Sequence, residues 1–399
     1  MNPIFLILFG IFVNFFGWYI INEYVKFFGM YSTEIIFNKT YWASSILDTG
    51  ILYAVIFIIG CFLTSKLKKN IKNYPSKNEY KFYRGYAYIF ITMLIVGGIA
   101  FNILNFNFSG SLDNRGVDQF NRDITSALSR MYLLFVPILT FYRLSFKDGL
   151  SIKIYWLFLI TVLISSLLSG DRRIIFYFAF SYLVIKFYEN THVTFNYKVF
   201  IKKISILFFS FLFFIFLYVR RAGDIESELA QIGFLIIYPV LGALGISAIL
   251  PEVKSLIVNS TGYLYGRSFL MYIFSLIFPS FILYFLGGDE FYFRSSLYFN
   301  ELFNDNPNMG YDFMMIADFY WNFGYLGYLL YIIMVFFIFN FLISRKVLNN
   351  PKYQGVAAML VVFFVASQRS DFGLFLKSFI YTSILYLMLY YFFPKRKVN

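Results

Sequence analysis

Ten runs of about 20 predominantly apolar residues, the length a helix needs to cross a bilayer, limit this chain more than any other feature. They fall at 3–22, 46–64, 86–106, 126–144, 153–170, 173–190, 201–219, 325–344, 354–369 and 373–393. The chain has 399 residues, is 60% hydrophobic and 14% charged, and has a mean hydropathy of +0.68. A water-soluble fold of this size cannot hide that much apolar surface. The expectation is one all-α polytopic membrane domain over 1–399, with about 10 transmembrane helices. The 56 Phe and 35 Tyr accompany abundant Asn, Ile and Lys, which fits an AT-rich codon bias. Composition alone therefore points to no aromatic-lined site.

Charge orients the runs. Lys66, Lys68, Lys69 and Lys72, followed by Lys77, Lys81 and Arg84, form the strongest cytoplasmic anchor. The runs Arg345-Lys346 and Lys395-Arg396-Lys397 agree with it in parity, so both termini are expected inside. Loops assigned to the inner face carry 20 basic and 3 acidic residues, net +17, and outer segments carry 14 and 18, net −4, which recovers the overall +13. The net charge is thus a positive-inside bias and excludes a nucleic-acid footprint. The inner 20 are 16 Lys and 4 Arg, whereas the outer 14 are 10 Arg and 4 Lys. A lysine-rich chain that turns to arginine on one face points to binding there, because the planar guanidinium suits phosphate and carboxylate as ammonium does not.

The exceptional connection is 220–324, a long external loop within the single domain. It is too long to be an ordinary turn and too apolar for disorder. Its two apolar stretches, 229–250 and 268–286, are interrupted by Pro239 and Pro279. Interfacial or re-entrant helices are favoured there; the alternative is two further spans, twelve in all. Residues 1–22 lack a basic leader and a small-residue cleavage site, so a retained first helix is expected. The lone cysteine, Cys61, excludes an internal disulfide and a thiolate metal cage.

Several outer-face residues could carry chemistry. Arg172-Arg173 opens the sixth run and Arg220-Arg221 closes the seventh. Ionisable groups at such depth are costly and often functional, although local pairing with Asp171 and Asp224 would also account for them. Asp318 lies in Ile316-Ala317-Asp318-Phe319-Tyr320-Trp321-Asn322-Phe323-Gly324, where aromatic surroundings would raise its pKa towards that of a general base. The competing role for Asp318 is to start the next helix beside Asn322. Arg369 and Asp371 share the last outer turn, where an exposed ion pair is the plain alternative. The only histidine, His192, falls on the inner side, and no metal cluster, Walker loop or Ser/His/Asp set is visible.

With these segments in hand, the chain resembles the Wzy-type family of O-antigen and capsule repeat-unit polymerases. The resemblance rests on the many-helix plan, Ser169-Gly170-Asp171-Arg172-Arg173, and Arg220-Arg221 before the long loop. It rests also on Tyr265-Gly266-Arg267-Ser268 with downstream Pro279, and on Asp318-Phe319-Tyr320-Trp321-Asn322-Phe323-Gly324. Asp318 stands where the family more often carries Glu, and Ser280 follows Pro279 where a basic residue is often found. The resemblance implies a GT-C-like glycosyltransferase that joins repeat units carried on undecaprenyl pyrophosphate, at the outer face of the bacterial cytoplasmic membrane. Arg172, Arg173, Arg220, Arg221, Arg267 and Arg369 would then grip and neutralise the diphosphate. Asp318 would activate the acceptor hydroxyl, with Asp371 the next carboxylate in line. No cofactor or metal is required if arginines carry the charge. Membrane lipids, a chain-length regulator and a flippase are the partners implied.

Two other readings remain open. An O-antigen ligase shares the architecture but is expected to carry a histidine in the outer loop, and none is there. A flippase or other transporter would bury charges at the bilayer midplane or pair discontinuous helices.

Overall fold

A computed structural model describes residues 2–27, 41–71, 80–82, 132–145, 173–189, 249–278, 293–303, 313–392 and 395–397. Within them the chain is helical apart from one three-residue ladder. The elements are α1 (Pro3–Phe27), α2 (Trp42–Ile71), β1 (Tyr80–Phe82), α3 (Tyr132–Ser145), α4 (Arg173–Glu189) and α5 (Ile249–Leu256), the last running into a π turn (Ile257–Thr261). Then come α6 (Arg267–Ile277), α7 (Ser295–Phe303), α8 (Met315–Phe323), α9 (Tyr325–Leu342), α10 (Arg345–Asn349) and α11 (Pro351–Ala366). A 3-10 turn (Ser367–Arg369), α12 (Phe372–Phe392) and β2 (Lys395–Lys397) complete the order. The expected runs 86–106, 153–170 and 201–219, and most of 229–250, lie outside the described residues.

Among the described residues, three helical stretches are long and apolar enough to cross a membrane: Trp42–Lys66, Tyr325–Asn349 and Phe372–Phe392. Their outward faces are apolar, with Ile58, Phe62, Leu329, Phe337, Ile384 and Met388 exposed. In water such stripes would be an aggregation hazard, whereas against lipid tails they cost nothing.

The bundle is built around α11. It packs on α1, α3, α4 and α12, and residues 357–365 are buried on every side. Close approach is possible because the helix is lined with small residues. A Cβ added to Gly355 would lie 1.9 Å from the Tyr386 ring, and one added to Gly10 would lie 2.6 Å from Val365. Small residues at membrane helix contacts serve this purpose. The start of α11 is fixed by Asn350, whose side chain accepts from the Lys352 N–H at 3.0 Å, with Pro351 in the first position.

Long-range contacts define two ends. At one, Tyr188 Oη donates to the Leu342 carbonyl at 3.1 Å and Tyr386 Oη to the Pro351 carbonyl at 2.9 Å. The antiparallel ladder pairs Lys81 with Arg396, so two of the basic segments that charge places on the same face do lie together. At the other end, Tyr331 Oη donates to Gln368 Oε1 at 2.7 Å, and Tyr177 meets Phe363 at 5.6 Å between ring centroids. Tyr177 is one turn into α4, so Arg173, the first residue of that helix, starts at this second end.

The stretch 268–286 does not form one continuous helix. Its helical part, α6, ends at Ile277, and Phe278 is extended (φ −108°, ψ 127°), as a residue before proline tends to be. Eleven residues reach only about 16 Å, half of a bilayer's hydrocarbon. Ser268, near the start of α6, and Ser295, at the start of α7, both donate to the Asp318 carboxylate. The two ends of the stretch between them therefore lie close together beside Asp318.

Candidate active site

At this second end the chain buries two carboxylates side by side. Asp318 lies in the middle of α8, which is buried from Met315 to Asn322 and ends at Gly324 with φ 57°. It therefore does not start the next helix, which was the competing role for it. Gly324 allows the reversal into α9, and Gly327 allows α9 to touch α8, since a Cβ there would meet the Phe319 carbonyl at 2.1 Å.

Asp318 accepts five hydrogen bonds from four segments. Oδ1 receives Ser295 Oγ at 2.7 Å, Asn322 Nδ2 at 3.0 Å and Ser268 Oγ at 3.3 Å. Oδ2 receives the Phe372 backbone N–H at 2.9 Å and Tyr272 Oη at 3.1 Å. The donors are neutral, and they hold α6, α7 and the start of α12 against α8. Burial pushes the Asp318 carboxyl up to about 7, and the neighbouring Asp371 pushes the same way. The bonds from Ser295, Phe372 and Tyr272 oppose the rise and do not cancel it. Burial likewise lifts the Tyr272 phenol well above its ordinary range, so it remains a donor. Asn322 Oδ1 is buried without a partner among the described residues.

Asp371 is partnered differently. Arg294 donates to its Oδ2 from Nε at 3.0 Å and from Nη2 at 2.7 Å, and Ser296 donates to the same oxygen. The other oxygen accepts the Leu374 N–H at 2.9 Å and caps α12. Asp371 is fully buried and its Arg294 partner is a quarter exposed. The exposed turn pair expected at Arg369 and Asp371 is corrected in this respect: Asp371 faces inward, bound to an arginine 77 positions away. Three consecutive residues, Arg294, Ser295 and Ser296, thus divide between the two carboxylates.

The other expected site residues fall as follows. Arg267 opens α6, is exposed, and lies over the Phe293 ring at 4.5 Å. Arg369 ends the 3-10 turn, two residues before Asp371. Arg173 starts α4 at this end, while Arg172, Arg220 and Arg221 lie outside the described residues. Sequence reasoning assigned no role to Arg294, Ser295, Ser296, Ser268 or Tyr272. A lone Arg-Ser-Ser triplet in a loop carries no signal by itself.

A second buried pair lies nearby. Lys254 on α5 reaches Asp48 on α2 at 2.7 Å, and Tyr328 Oη donates to the same carboxylate oxygen at 3.1 Å. Among the described residues no group of three or more His, Cys, Asp or Glu could hold a metal ion. Chemically, the site offers one carboxylate poised near neutrality, one held by a guanidinium, and further arginines at the rim. No protein-family model, curated protein or solved structure matches this chain.

Proposed function

We propose that this chain is a membrane glycosyltransferase that polymerises undecaprenyl-pyrophosphate-linked oligosaccharide repeat units into O-antigen or capsule. The work is done at the outer face of the bacterial cytoplasmic membrane, with both termini cytoplasmic and about ten spans in a GT-C-like arrangement. One observation carries the reading. Asp318, Asp371 and Arg294 come from three distant segments and meet at the Arg-bearing end of an apolar bundle.

In this reading the acceptor sugar hydroxyl takes the place of Ser268 Oγ, whose hydrogen bond to Asp318, at 3.3 Å, is the longest that carboxylate receives from a side chain. Its oxygen attacks the anomeric carbon of the donor repeat. The bond from that carbon to the diphosphate oxygen breaks, and the proton passes to Asp318. A carboxyl raised to about 7 is half ionised near neutral pH, which suits a base whose task is to accept and then release a proton. Arg267 and Arg369, with Arg172, Arg173, Arg220 and Arg221, neutralise the departing undecaprenyl pyrophosphate. Asp371 holds Arg294 in place and is the second carboxylate to consider for proton transfer.

The test is conversion of lipid-linked single repeats to a ladder by the purified protein in lipid bilayers, with release of undecaprenyl pyrophosphate. A ladder is the expected result. Transfer of finished polymer to a lipid A core, or movement of the repeat across the bilayer without bond formation, would overturn the reading in favour of a ligase or a flippase.

A further inference from the structure

We infer that Tyr263, Tyr265, Tyr320 and Tyr325 form a platform that binds the pyranose rings of the acceptor glycan. The inference rests on the polymerase reading and extends it to a subsite.

The platform joins three stretches of chain. Tyr320, on α8, stacks on Tyr328 at 5.1 Å between centroids and 27° between planes. Tyr325, at the start of α9, stands against both at 5.6 and 5.8 Å, nearly perpendicular to each. Tyr263, in the turn before α6, lies 6.3 Å from Tyr320 and 6.2 Å from Tyr265. The buried Tyr320 and the partly buried Tyr328 form the floor, while Tyr265 and Tyr325 project from it, 84% and 66% exposed. Beneath the floor the buried Lys254–Asp48 pair fixes the rings. Lys254 Nζ lies 5.6 Å over Tyr320, and Asp48 accepts from Tyr328.

The backbone at Tyr265 is the informative detail. Its φ is +49°, and it is the one non-glycine with positive φ among the described residues. For a bulky side chain that conformation is strained, whereas glycine adopts it freely. Gly262 and Gly266, on either side, have φ of +63° and +82°. The turn is held by the Leu264 N–H, which donates to the Trp321 carbonyl at 2.9 Å. A third glycine would relax this turn, yet a tyrosine stands there. The ring is almost wholly exposed, so packing within the chain does not require it. Strain kept without a packing return points to contact with something outside the chain.

The chemistry favours a sugar. A pyranose has a flat C–H face and a rim of hydroxyls. The exposed tyrosines offer ring faces for the first and phenolic hydroxyls for the second. Tyr320 shares α8 with Asp318 but, two residues along, faces a different side of that helix, so the platform would hold sugar units away from the reacting hydroxyl.

The experiment uses the purified full chain in nanodiscs and the oligosaccharide released by mild acid from the cell's own lipid-linked pool. Saturation-transfer NMR should show contact with sugar ring protons. The contact should weaken in Tyr265→Gly and be lost in the double variant Tyr265→Gly/Tyr325→Ala, while Tyr265→Phe retains it. Stacking on two rings sets the scale: KM for the acceptor should rise by about tenfold in the double variant with kcat almost unchanged. Tyr265→Gly should unfold at the same temperature as the parent or higher, because the strain is relieved. Absence of transfer in the parent protein, or an unchanged KM in the double variant, would overturn the platform. So would a Tyr265→Gly variant that loses only its insertion into lipid, which would make the ring an interfacial anchor. Glycan binding without ladder formation would overturn the polymerase reading alone.

Discussion

The two ends of the helix bundle handle charge in opposite ways. At the end that carries Asp318, the residues Asp318, Asp371, Glu252 and Lys254 are 5% exposed or less. At the far end Lys66, Arg345 and Lys346 lie at the surface, and the ladder brings Lys81 beside Arg396 in register. Burying an ion costs several kcal/mol even after relaxation, and a chain recovers that only through partners of good geometry. The far end needs no such partners, since surface lysines meet water. The near end supplies them one by one, from segments far apart in sequence. The buried charge thus lies at the end that, among the described residues, also carries Arg267, Arg294 and Arg369.

The comparison breaks most sharply at Asp318. Asp318→Asn keeps the size and most hydrogen bonds but cannot take a proton. Loss of a general base lowers rate by about 10²–10⁴-fold, which single-turnover conversion of lipid-linked repeats would measure. Turnover near that of the parent would remove Asp318 from chemistry and leave it a tie between helices. Stability gives an independent reading with a definite sign. The folded carboxyl sits at about 7, above its ordinary 3.8, so the folded state binds the proton more tightly than the unfolded one. The stabilisation is complete below about 4 and is lost as pH rises towards 7. Asp318→Asn should flatten that decline in a thermal-unfolding series, whereas rate in the parent should climb through the same window.

Breaking the second carboxylate's pair comes next in size. Arg294→Ala leaves Asp371 buried without its cation, and removing one partner of a buried pair costs about 3–5 kcal/mol. The exposed quarter of Arg294 places the expected loss at the lower end of that range. Arg294→Ala with Asp371→Asn should recover part of it, and denaturation of the four-member cycle in detergent measures the coupling. Additive losses would show that the pair contributes no more than its separate residues.

Much of the scaffold was visible in the sequence, because a run of apolar residues is a local property. The expected runs at 3–22, 46–64, 173–190, 325–344 and 373–393 coincide with helices. Asp318 and Asp371 stood out for the same reason, as acids interrupting apolar text. What they touch did not. Arg294 meets Asp371 across 77 positions, Tyr272 meets Asp318 across 46, and Lys254 meets Asp48 across 206. No periodicity encodes such pairings; they arise when helices pack. The burial of Asp371 was missed likewise, since a turn between two spans reads as solvent until another segment covers it.

A matched pair of glycines sharpens the comparison at smaller amplitude. Gly373→Ala would place a Cβ 2.2 Å from the Tyr272 ring, and Gly355→Ala would place one 1.9 Å from the Tyr386 ring. Both overpack a helix contact, which typically costs about 1–3 kcal/mol. Only Tyr272 touches Asp318. The two variants should therefore lose similar stability, while Gly373→Ala alone shifts the pH midpoint of activity. A shift in both would mean that packing at either end is transmitted to the carboxylate.

The smallest effect is expected at Lys352, near the start of α11 at the far end. Its ammonium lies 4.5 Å over the Tyr391 ring and 5.3 Å over Tyr353, and it donates to the Tyr391 hydroxyl. These contacts look substantial on paper, but they lie at the surface, where water competes for the ammonium and an exposed cation–π contact is worth about 0.5–1 kcal/mol. The helix cap from Asn350 uses the Lys352 backbone N–H and survives any side-chain change. Lys352→Ala should therefore cost less than about 1 kcal/mol and leave turnover intact. The topology should also hold, because Arg345 and Lys346 remain to fix the segment's side. Thermal unfolding and turnover of one purified preparation check both statements. A loss comparable with that of Arg294→Ala would mean that the far end is held together by its charges as firmly as the near end, and the contrast between them would fail.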